Sequence, residues 1–266
     1  MKPKKSLSQN FLINDRAANR IVDSLDLNEN DIVLEIGAGS GALTKHLLNK
    51  AKKVVAVEID RRLCDVLQQK FTSHHNLSII NADILKVNLH DLISPERSCK
   101  VVGNLPYQIT SPVLTFLLEN RRLINACVLM VQKEVALRLS SRPGNKDWSP
   151  LSIAVQLYAD VEILFHLKPS SFFPRPGVDS SVIRLKFLPQ TKVQVQDEKR
   201  FFMVIRAAFG QRRKILLNSL AANLDLPKGQ LEVIFNRIGL DPKRRAETLE
   251  MDEFARLSSA LYESVK

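Results

Sequence analysis

The stretch LEIGAGSGA occupies residues 34–42 and decides the fold of the first part of the chain. An aliphatic run at 31–36 leads into three closely spaced glycines, and a helical pattern follows at 41–49. Glycine allows positive φ angles and close approach of a ligand to the main chain, so this turn predicts a nucleotide-like cofactor. The spacing also satisfies G-x-G-x-x-A, which keeps a nicotinamide-dinucleotide enzyme as an alternative. Glu35 argues against a bound pyrophosphate, which its carboxylate would repel, and would instead attract an ammonium group.

Strand-like and helix-like segments alternate beyond this turn. The strand-like runs lie at 31–36, 53–59, 77–81, 100–103, 126–131, 161–167 and 182–188, and the early helical patterns at 41–49, 61–71, 112–119 and 132–140. Such alternation implies βαβ crossovers and a parallel sheet. Only a proline-rich loop separates the last two runs, which favours an antiparallel pair at one sheet edge. Seven strands with this ending suit the methyltransferase variant of the Rossmann-like, doubly wound α/β fold.

The composition changes after residue 188, which predicts a second domain. Residues 189–196 are polar and lack helical spacing, as expected of a linker. Helical patterns then follow at 197–209, 212–223, 229–238 and 249–265, with Gly239 as an expected C-cap and Thr248 as an expected N-cap. We therefore assign residues 1–188 to the α/β domain, with a flexible N-terminal arm at 1–15, and residues 189–266 to a small all-helical domain.

Length and composition exclude several classes of protein. The 266 residues contain 45% hydrophobic and 25% charged residues, which is ordinary for a soluble globular protein. We find no apolar run near the roughly 18 residues that a membrane-spanning helix needs, and no signal peptide. The three cysteines, Cys64, Cys99 and Cys127, have no metal-ligand spacing. We expect a cytoplasmic, monomeric protein that uses neither a metal ion nor a membrane.

The net charge of +11 points to a polyanionic partner. Single basic doublets are commonly solvated helix faces, but several together favour RNA or DNA, because docking on phosphates releases counterions. The clusters are Lys2/Lys4/Lys5, Lys52/Lys53, Arg121/Arg122, Arg138/Arg142/Lys146, Arg212/Arg213/Lys214 and Lys243/Arg244/Arg245.

Two carboxylates follow successive strand-like runs. Glu58 lies 21 positions after Gly37, where an acidic residue accepts hydrogen bonds from ribose hydroxyls. Asp83 closes the third run, where it could accept from the exocyclic amine of a cofactor adenine or cap the following turn. NAD and S-adenosylmethionine both contain an adenosine, so these two residues do not distinguish them.

The fourth strand-like run ends in the most specific motif of the chain, Gly103-Asn104-Leu105-Pro106-Tyr107. An adenine amine is a poor nucleophile because its lone pair delocalises into the ring. The Asn104 side-chain oxygen and the Pro106 carbonyl could accept its two N–H bonds and free the lone pair for attack on a methyl sulfonium. Tyr107 would offer an aromatic face to the extruded base.

A second aromatic element precedes a Pro-x-Pro loop at Phe172-Phe173. Stacking of a base on an aromatic ring contributes about 1–3 kcal/mol. We expect Phe173 to belong to the core and Phe172 to face the pocket.

Taken together, these motifs resemble the KsgA-type small-subunit (16S) ribosomal RNA adenine dimethyltransferases, over essentially the whole chain. The matching segments are residues 4–12, the glycine turn, 58–60, 81–83, 104–107, 172–180 and the helical tail with Arg212-Arg213-Lys214. Ser8, Ala38 and Gly177 depart from the usual family pattern.

The resemblance implies a class I S-adenosylmethionine methyltransferase that dimethylates two adjacent adenosines near the 3′ end of 16S rRNA, within the 30S subunit or its precursor. It implies that Asn10 and Leu12 fold over the methionine end of S-adenosylmethionine. The other implied cofactor residues are Gly37, Glu58, Asp83 and Asn104, and Phe172 and Tyr107 would sandwich the target adenine.

Three alternatives remain open from the sequence. A 23S rRNA adenine methyltransferase shares the Asn-Leu-Pro-Tyr type of motif. A ribosome-assembly factor could bind RNA with dispensable catalysis, and a dinucleotide-dependent oxidoreductase fits the glycine spacing.

Overall fold

The computed structural model describes residues 3–4, 7–94 and 98–263. Packing divides the chain into two compact units, Met1–Ala136 with Asp160–Phe187, and Leu137–Ala159 with Leu188–Lys266. Some predicted features include residues outside the described ranges: Lys2 and Lys5 of the first basic cluster, Ser6 of the opening motif, and Ser264 and Val265 of the last helical pattern.

The first unit is built on a sheet that confirms the predicted α/β class. The described residues form the strands β1 (Phe11–Leu12), β2 (Ile32–Ile36), β3 (Lys53–Glu58), β4 (Leu77–Asn81), β5 (Cys99–Asn104), β6 (Ile124–Gln132), β7 (Ala159–Leu167), β8 (Phe172–Phe173) and β9 (Ser180–Phe187). Seven of them form one sheet in the order β4-β3-β2-β5-β6-β9-β7. Every residue of β2 is buried, as expected for a strand covered on both faces.

Strand direction gathers the candidate residues at one edge. β2, β3, β4, β5 and β6 pair in parallel, and β9 runs antiparallel to β6. The carboxyl ends of the parallel strands therefore open on the same crevice, where α/β proteins bind ligands. β9 and β7 are neighbours, as predicted, with β7 at the sheet edge. The sequence pattern did not predict the two-residue strands β1 and β8, which pair with each other.

The described residues of the first unit form helices, some of which begin at side-chain caps. They are α1 (Asp15–Asp23), α2 (Thr44–Leu47), α3 (Arg61–Lys70), α4 (Leu89–Ile93), α5 (Thr110–Glu119) and most of α6 (Lys133–Leu139). Asn14 and Asp60 accept hydrogen bonds from the first turns of α1 and α3. We did not predict α1 or α4, and the helix expected at 41–49 is regular only over α2.

The second unit consists of helices in its described residues. These are α7 (Pro150–Tyr158), α8 (Glu198–Phe209), α9 (Leu216–Leu224), α10 (Lys228–Ile238) and α11 (Met251–Glu263). Gly239 ends α10 at φ +65°, as predicted, whereas Thr248 closes a 3₁₀ turn and α11 begins three residues later. No helix of the described ranges is long and apolar enough to cross a bilayer.

The division by packing and our sequence-based domain boundary differ in one segment. Residues 137–159, which we assigned to the first domain, pack with the helices of the second unit. Trp148 is buried there and donates its indole N–H to the Leu249 carbonyl at 3.1 Å. Contacts over about a hundred positions in sequence are invisible to composition, which is why the boundary at 188 missed this segment.

Candidate active site

A cavity of about 210 Å³ lies at the carboxyl ends of the parallel strands, within the first unit. It is lined by residues 7–12, the glycine turn, the ends of β3 and β5, and the turn after β4. The six residues predicted to hold the cofactor all contribute to its lining: Asn10, Leu12, Gly37, Glu58, Asp83 and Asn104. We call residues 7–12 the N-terminal strap.

The glycine turn shapes one wall of the cavity. Gly37, Gly39 and Gly41 have φ angles of +70°, +57° and +79°, a region that L side chains rarely adopt. A Cβ atom on Gly37 would have no neighbour within 4 Å, so the main chain there faces open space. A Cβ atom on Gly41 would come within 2.6 Å of Phe71. The first glycine thus leaves room for a ligand, and the third permits packing on α3.

Glu58 is held at the end of β3 by two main-chain donors. Gly39 N and Asp60 N each donate to one of its carboxylate oxygens at 2.9 Å. The residue is 5% exposed, and burial raises the pKa of its carboxyl group. Each oxygen retains a lone pair, so the carboxylate can also accept hydrogen bonds from a ligand.

Glu35 is the deepest acidic group of the cavity. It is 1% exposed and accepts a 2.6 Å hydrogen bond from the Thr44 hydroxyl. Burial, aided by the nearby Glu58 charge, raises its pKa to about 8. No cation pairs with it among the described residues. A cationic ligand would therefore stabilise its ionised form, as we expected for an ammonium group.

Asp83 caps a turn and also lines the cavity. One carboxylate oxygen accepts from Leu85 N at 3.1 Å and caps the 3₁₀ turn after β4. The residue also lines the cavity, so its second oxygen remains available to a ligand.

Asn104 ends β5 and contacts the N-terminal strap. Its Nδ2 donates to the Asn10 carbonyl at 2.8 Å. Its Oδ1 accepts no hydrogen bond from any residue that the structure describes. The amide oxygen is therefore an unused acceptor on a residue that lines the cavity.

The Pro106 carbonyl does not fit the role that we expected for it. It accepts from Ile109 N at 3.1 Å and from the Thr110 hydroxyl at 3.4 Å, so both of its lone pairs are engaged in the start of α5. The Leu105 carbonyl accepts no hydrogen bond within the described ranges. Leu105 also lines the cavity, which makes its carbonyl the better acceptor in this turn.

Tyr107 lines the cavity and is anchored from β9. The Tyr107 hydroxyl lies 2.9 Å from the Ser180 hydroxyl. Burial raises the pKa of Tyr107. The hydrogen bond restrains the ring of a half-buried residue, which favours a fixed aromatic face.

The expected orientation of the Phe172–Phe173 pair is wrong. Phe172 is 2% exposed and belongs to the core, whereas Phe173 is 56% exposed. In the ladder of β1 and β8, Leu12 pairs with Phe172 and Phe11 pairs with Phe173. Residues paired across a ladder share a face, so the buried Leu12 takes Phe172 into the core. Phe173 pairs with Phe11, and both Phe11 and Leu12 line the cavity, so it is exposure that distinguishes the two phenylalanines.

Asp60 is a residue that sequence reasoning missed. Its side chain is fully buried and accepts hydrogen bonds from Lys4 Nζ at 3.0 Å, Gln9 Nε2 at 3.4 Å and Arg62 Nη2 at 2.8 Å. These contacts, led by that of Arg62, hold the pKa of Asp60 well below its usual range. The matched segment 58–60 was a signal for this residue, but its sequence does not show that the carboxylate faces the strap.

The basic clusters of the second unit are not equivalent. Arg212, Arg213 and Lys214 are exposed between α8 and α9. Arg244 instead forms a bidentate pair with Glu253, at 2.5 and 3.0 Å, and donates to Thr248. It therefore stabilises the start of α11. Of these two clusters, the first leaves all of its cations exposed.

Comparisons with known proteins agree over nearly the whole length. A family model described as ribosomal RNA adenine dimethylase matches residues 1–263. Ribosomal RNA small subunit methyltransferase A of Bacillus cytotoxicus is 49% identical over 265 residues, which cover 97% of this chain and 91% of that protein. The protein of the same name from Bacillus mycoides is 47% identical with the same coverage.

Two solved structures share the fold across both units. A dimethyladenosine transferase from Plasmodium falciparum superposes with a TM-score of 0.83 and 26% identity, covering 96% of this chain and 98% of that one. The 23S rRNA methyltransferase ErmE superposes with a TM-score of 0.73 and 27% identity, covering 95% and 100%.

Proposed function

Since the chain belongs to the ribosomal RNA adenine dimethylase family, we propose that it transfers methyl groups from S-adenosylmethionine to adenine amines of ribosomal RNA. The target is two adjacent adenosines in the 3′-terminal hairpin loop of 16S rRNA, each methylated twice. The observation that carries this proposal is the unused Asn104 Oδ1 on a residue that lines the same cavity as Gly37, Glu58 and Asp83.

The cavity fits S-adenosylmethionine in charge and shape. The open space beside Gly37 admits a ligand against the main chain, and Glu58 and Asp83 supply acceptors for a ribose and an adenine amine. Glu35 adds a buried carboxylate that complements a cationic ligand. When bound, S-adenosylmethionine supplies an electrophilic methyl group on a positively charged sulfur. NAD carries an anionic pyrophosphate, so this acidic lining disfavours the oxidoreductase alternative.

The turn after β5 prepares the amine of the target base. Asn104 Oδ1 accepts one N–H of the amine, and we assign the second N–H to the Leu105 carbonyl in place of Pro106. Two such hydrogen bonds oppose delocalisation of the nitrogen lone pair and hold it in line for attack. Tyr107 stacks on one face of the base and Phe173, in place of Phe172, on the other. The uncharged amide leaves room for a monomethylated amine, as a second transfer requires.

The second unit supports RNA as the partner. Exposed Arg212, Arg213 and Lys214, on a chain of net charge +11, suit docking on phosphates. We propose that the monomeric, cytoplasmic protein docks on 16S rRNA in the 30S subunit or its precursor, with a role in subunit biogenesis and no metal ion. The likeness to ErmE supports a second candidate, a 23S rRNA adenine.

The test is transfer of labelled methyl groups from S-adenosylmethionine to small subunits from a strain that lacks this activity. We expect incorporation of about four methyl groups per particle, mapped by nuclease digestion to two adjacent adenosines. Fully methylated subunits serve as the control. Incorporation only into 23S rRNA would establish the second candidate. Tight binding to small subunits without incorporation of methyl groups would instead support the alternative of a ribosome-assembly factor.

A further inference from the structure

The contact between the N-terminal strap and Asn104 joins two segments that are 94 positions apart in sequence. Asn104 Nδ2 donates to the main-chain carbonyl of Asn10 at 2.8 Å. A primary amide presents a donor on one side and an acceptor on the other, whereas a carbonyl can only accept. The Asn10 carbonyl therefore selects one of the two amide orientations, the one with Nδ2 toward the strap and Oδ1 away from it.

The strap is held at both ends by contacts to remote residues. Toward the N-terminus, Asp60 binds Lys4 Nζ, just before the strap, at 3.0 Å and Gln9 Nε2, within it, at 3.4 Å. Gln9 Oε1 accepts from Lys4 N at 2.7 Å, and we call these contacts of Lys4, Gln9 and Asp60 the Asp60 clasp. At its end, β1 pairs with β8, and Ile13 N donates to the Ser171 carbonyl at 2.9 Å. The Asn10 carbonyl is thus placed by the Asp60 clasp and the β1–β8 ladder.

The bend of the strap lies between these two anchors. Ser8 has a φ of +47°, a conformation that is unfavourable for a residue with a Cβ atom. The Ser8 carbonyl accepts from Asn10 Nδ2 at 3.3 Å, so the side chain of Asn10 steadies the bend that presents its own carbonyl. A strained bend persists only where surrounding contacts hold it, and here those contacts are the clasp and the ladder.

We propose that the closed strap is a positioning element for catalysis. Through the Asn10 carbonyl it orients the Asn104 amide so that Oδ1, and not Nδ2, meets the target amine. This role goes beyond covering the cofactor, and it rests on the methyl transfer proposed above. When the strap is open, the Asn104 side-chain amide is free to flip. The flipped amide would turn its Nδ2 donor toward the target amine, whose N–H groups need an acceptor. Cofactor enclosure and activation of the base are therefore coupled in one segment.

The test opens the clasp without touching the lining of the cavity. Lys4→Met keeps the aliphatic stem and removes the cation that Asp60 binds. Asp60→Asn weakens the same contact from the other side, and asparagine can still cap α3. Arg62→Gln is the matched control, because Arg62 binds Asp60 and makes no hydrogen bond with the strap among the described residues.

Two measurements separate positioning from simple enclosure of the cofactor. The first is kcat at saturating S-adenosylmethionine, which we expect to fall on the order of ten-fold in Lys4→Met and Asp60→Asn and to stay within two-fold in Arg62→Gln. The second is the side-chain ¹⁵N amide resonance of Asn104, assigned by its loss in Asn104→Asp. The chemical shift of this resonance should move toward that of a solvent-exposed amide in Lys4→Met and Asp60→Asn and stay unchanged in Arg62→Gln.

The outcomes distinguish this inference from the proposed function. An unchanged kcat, with only the KM for the cofactor raised, would overturn positioning and leave the strap as a cover. An unmoved Asn104 resonance in both clasp variants would also overturn it. A wild-type protein without methyl transfer would refute the proposed function instead, while the resonance would still report whether the strap orients the amide.

Discussion

The two halves of the cavity are held together in different ways. We call the part of the cavity at Glu58 and Asp83 the cofactor half, and the part at Asn104 and Tyr107, where the methyl-accepting base is proposed to bind, the acceptor half. In the cofactor half, Glu58 and Asp83 bind main-chain N–H groups that are two to 19 positions away. In the acceptor half, Asn104 binds the Asn10 carbonyl across 94 positions, and Tyr107 binds Ser180 across 73. The cofactor half is formed by the ends of strands and by the turns that directly follow them. The acceptor half is assembled from segments that the whole fold must bring together.

This difference predicts how each half responds to change. A turn that binds its own main chain is preformed, so substitutions there should alter cofactor affinity alone. A side chain held by a remote partner is sensitive to that partner, so substitutions in the acceptor half should alter turnover or the KM for RNA and leave cofactor affinity near wild type. Each of the following variants tests that contrast.

The largest effect is expected in the acceptor half, at Asn104. Asn104→Ala removes the acceptor for the target amine, and loss of one such group commonly costs about 10²–10³ in turnover. We expect this fall in single-turnover methyl transfer, with cofactor affinity by calorimetry within a few-fold of wild type. Unchanged turnover would remove Asn104 from the mechanism.

The adjacent phenylalanines should separate stability from activity. Phe172→Ala leaves a cavity in the core and should cost about 3–5 kcal/mol in the free energy of unfolding. Phe173→Ala removes an exposed ring, so it should leave the unfolding midpoint unchanged and raise the KM for RNA by roughly five- to 100-fold. Urea titration and initial rates measure the two effects. The reverse pattern would restore our first expectation, with Phe172 stacking on the base.

A smaller effect is expected in the cofactor half. Glu58→Gln turns one acceptor of the carboxylate into a donor, and hydrogen bonds to charged groups contribute about 1.5–3 kcal/mol. We expect the Kd for S-adenosylmethionine to rise roughly ten- to 100-fold while turnover at saturation stays near wild type. A fall in saturated turnover as large as that of Asn104→Ala would mean that the two halves are not separable.

The smallest effect tests the remote anchor of the acceptor half. Tyr107→Phe keeps the aromatic face and loses the hydrogen bond to Ser180, which contributes about 0.5–1.5 kcal/mol. We expect kcat/KM to fall a few-fold, equally in Tyr107→Phe and Ser180→Ala. The double variant should be no worse than either single one. Additive losses would show that the two hydroxyls do not act through each other.

The same contrast explains what the sequence could predict. Glu58 and Asp83 could be predicted as residues of one site because parallel strands end at a common edge of the sheet. The end of a strand can be recognised from a short stretch of sequence. Phe172 was assigned to the wrong side because its burial depends on Leu12, a partner 160 positions away in the ladder of β1 and β8. Asp60 and Ser180 were missed for the same reason. Their roles arise from contacts between distant segments, which periodicity and spacing do not record.

The most direct test of the account is a crystal structure of the protein with S-adenosylhomocysteine and adenosine. We predict ribose hydroxyls on Glu58, the cofactor adenine amine at Asp83, and the adenosine amine between Asn104 Oδ1 and the Leu105 carbonyl, facing the sulfur. A cofactor bound outside this cavity, or an adenosine amine that meets Asn104 Nδ2, would contradict it.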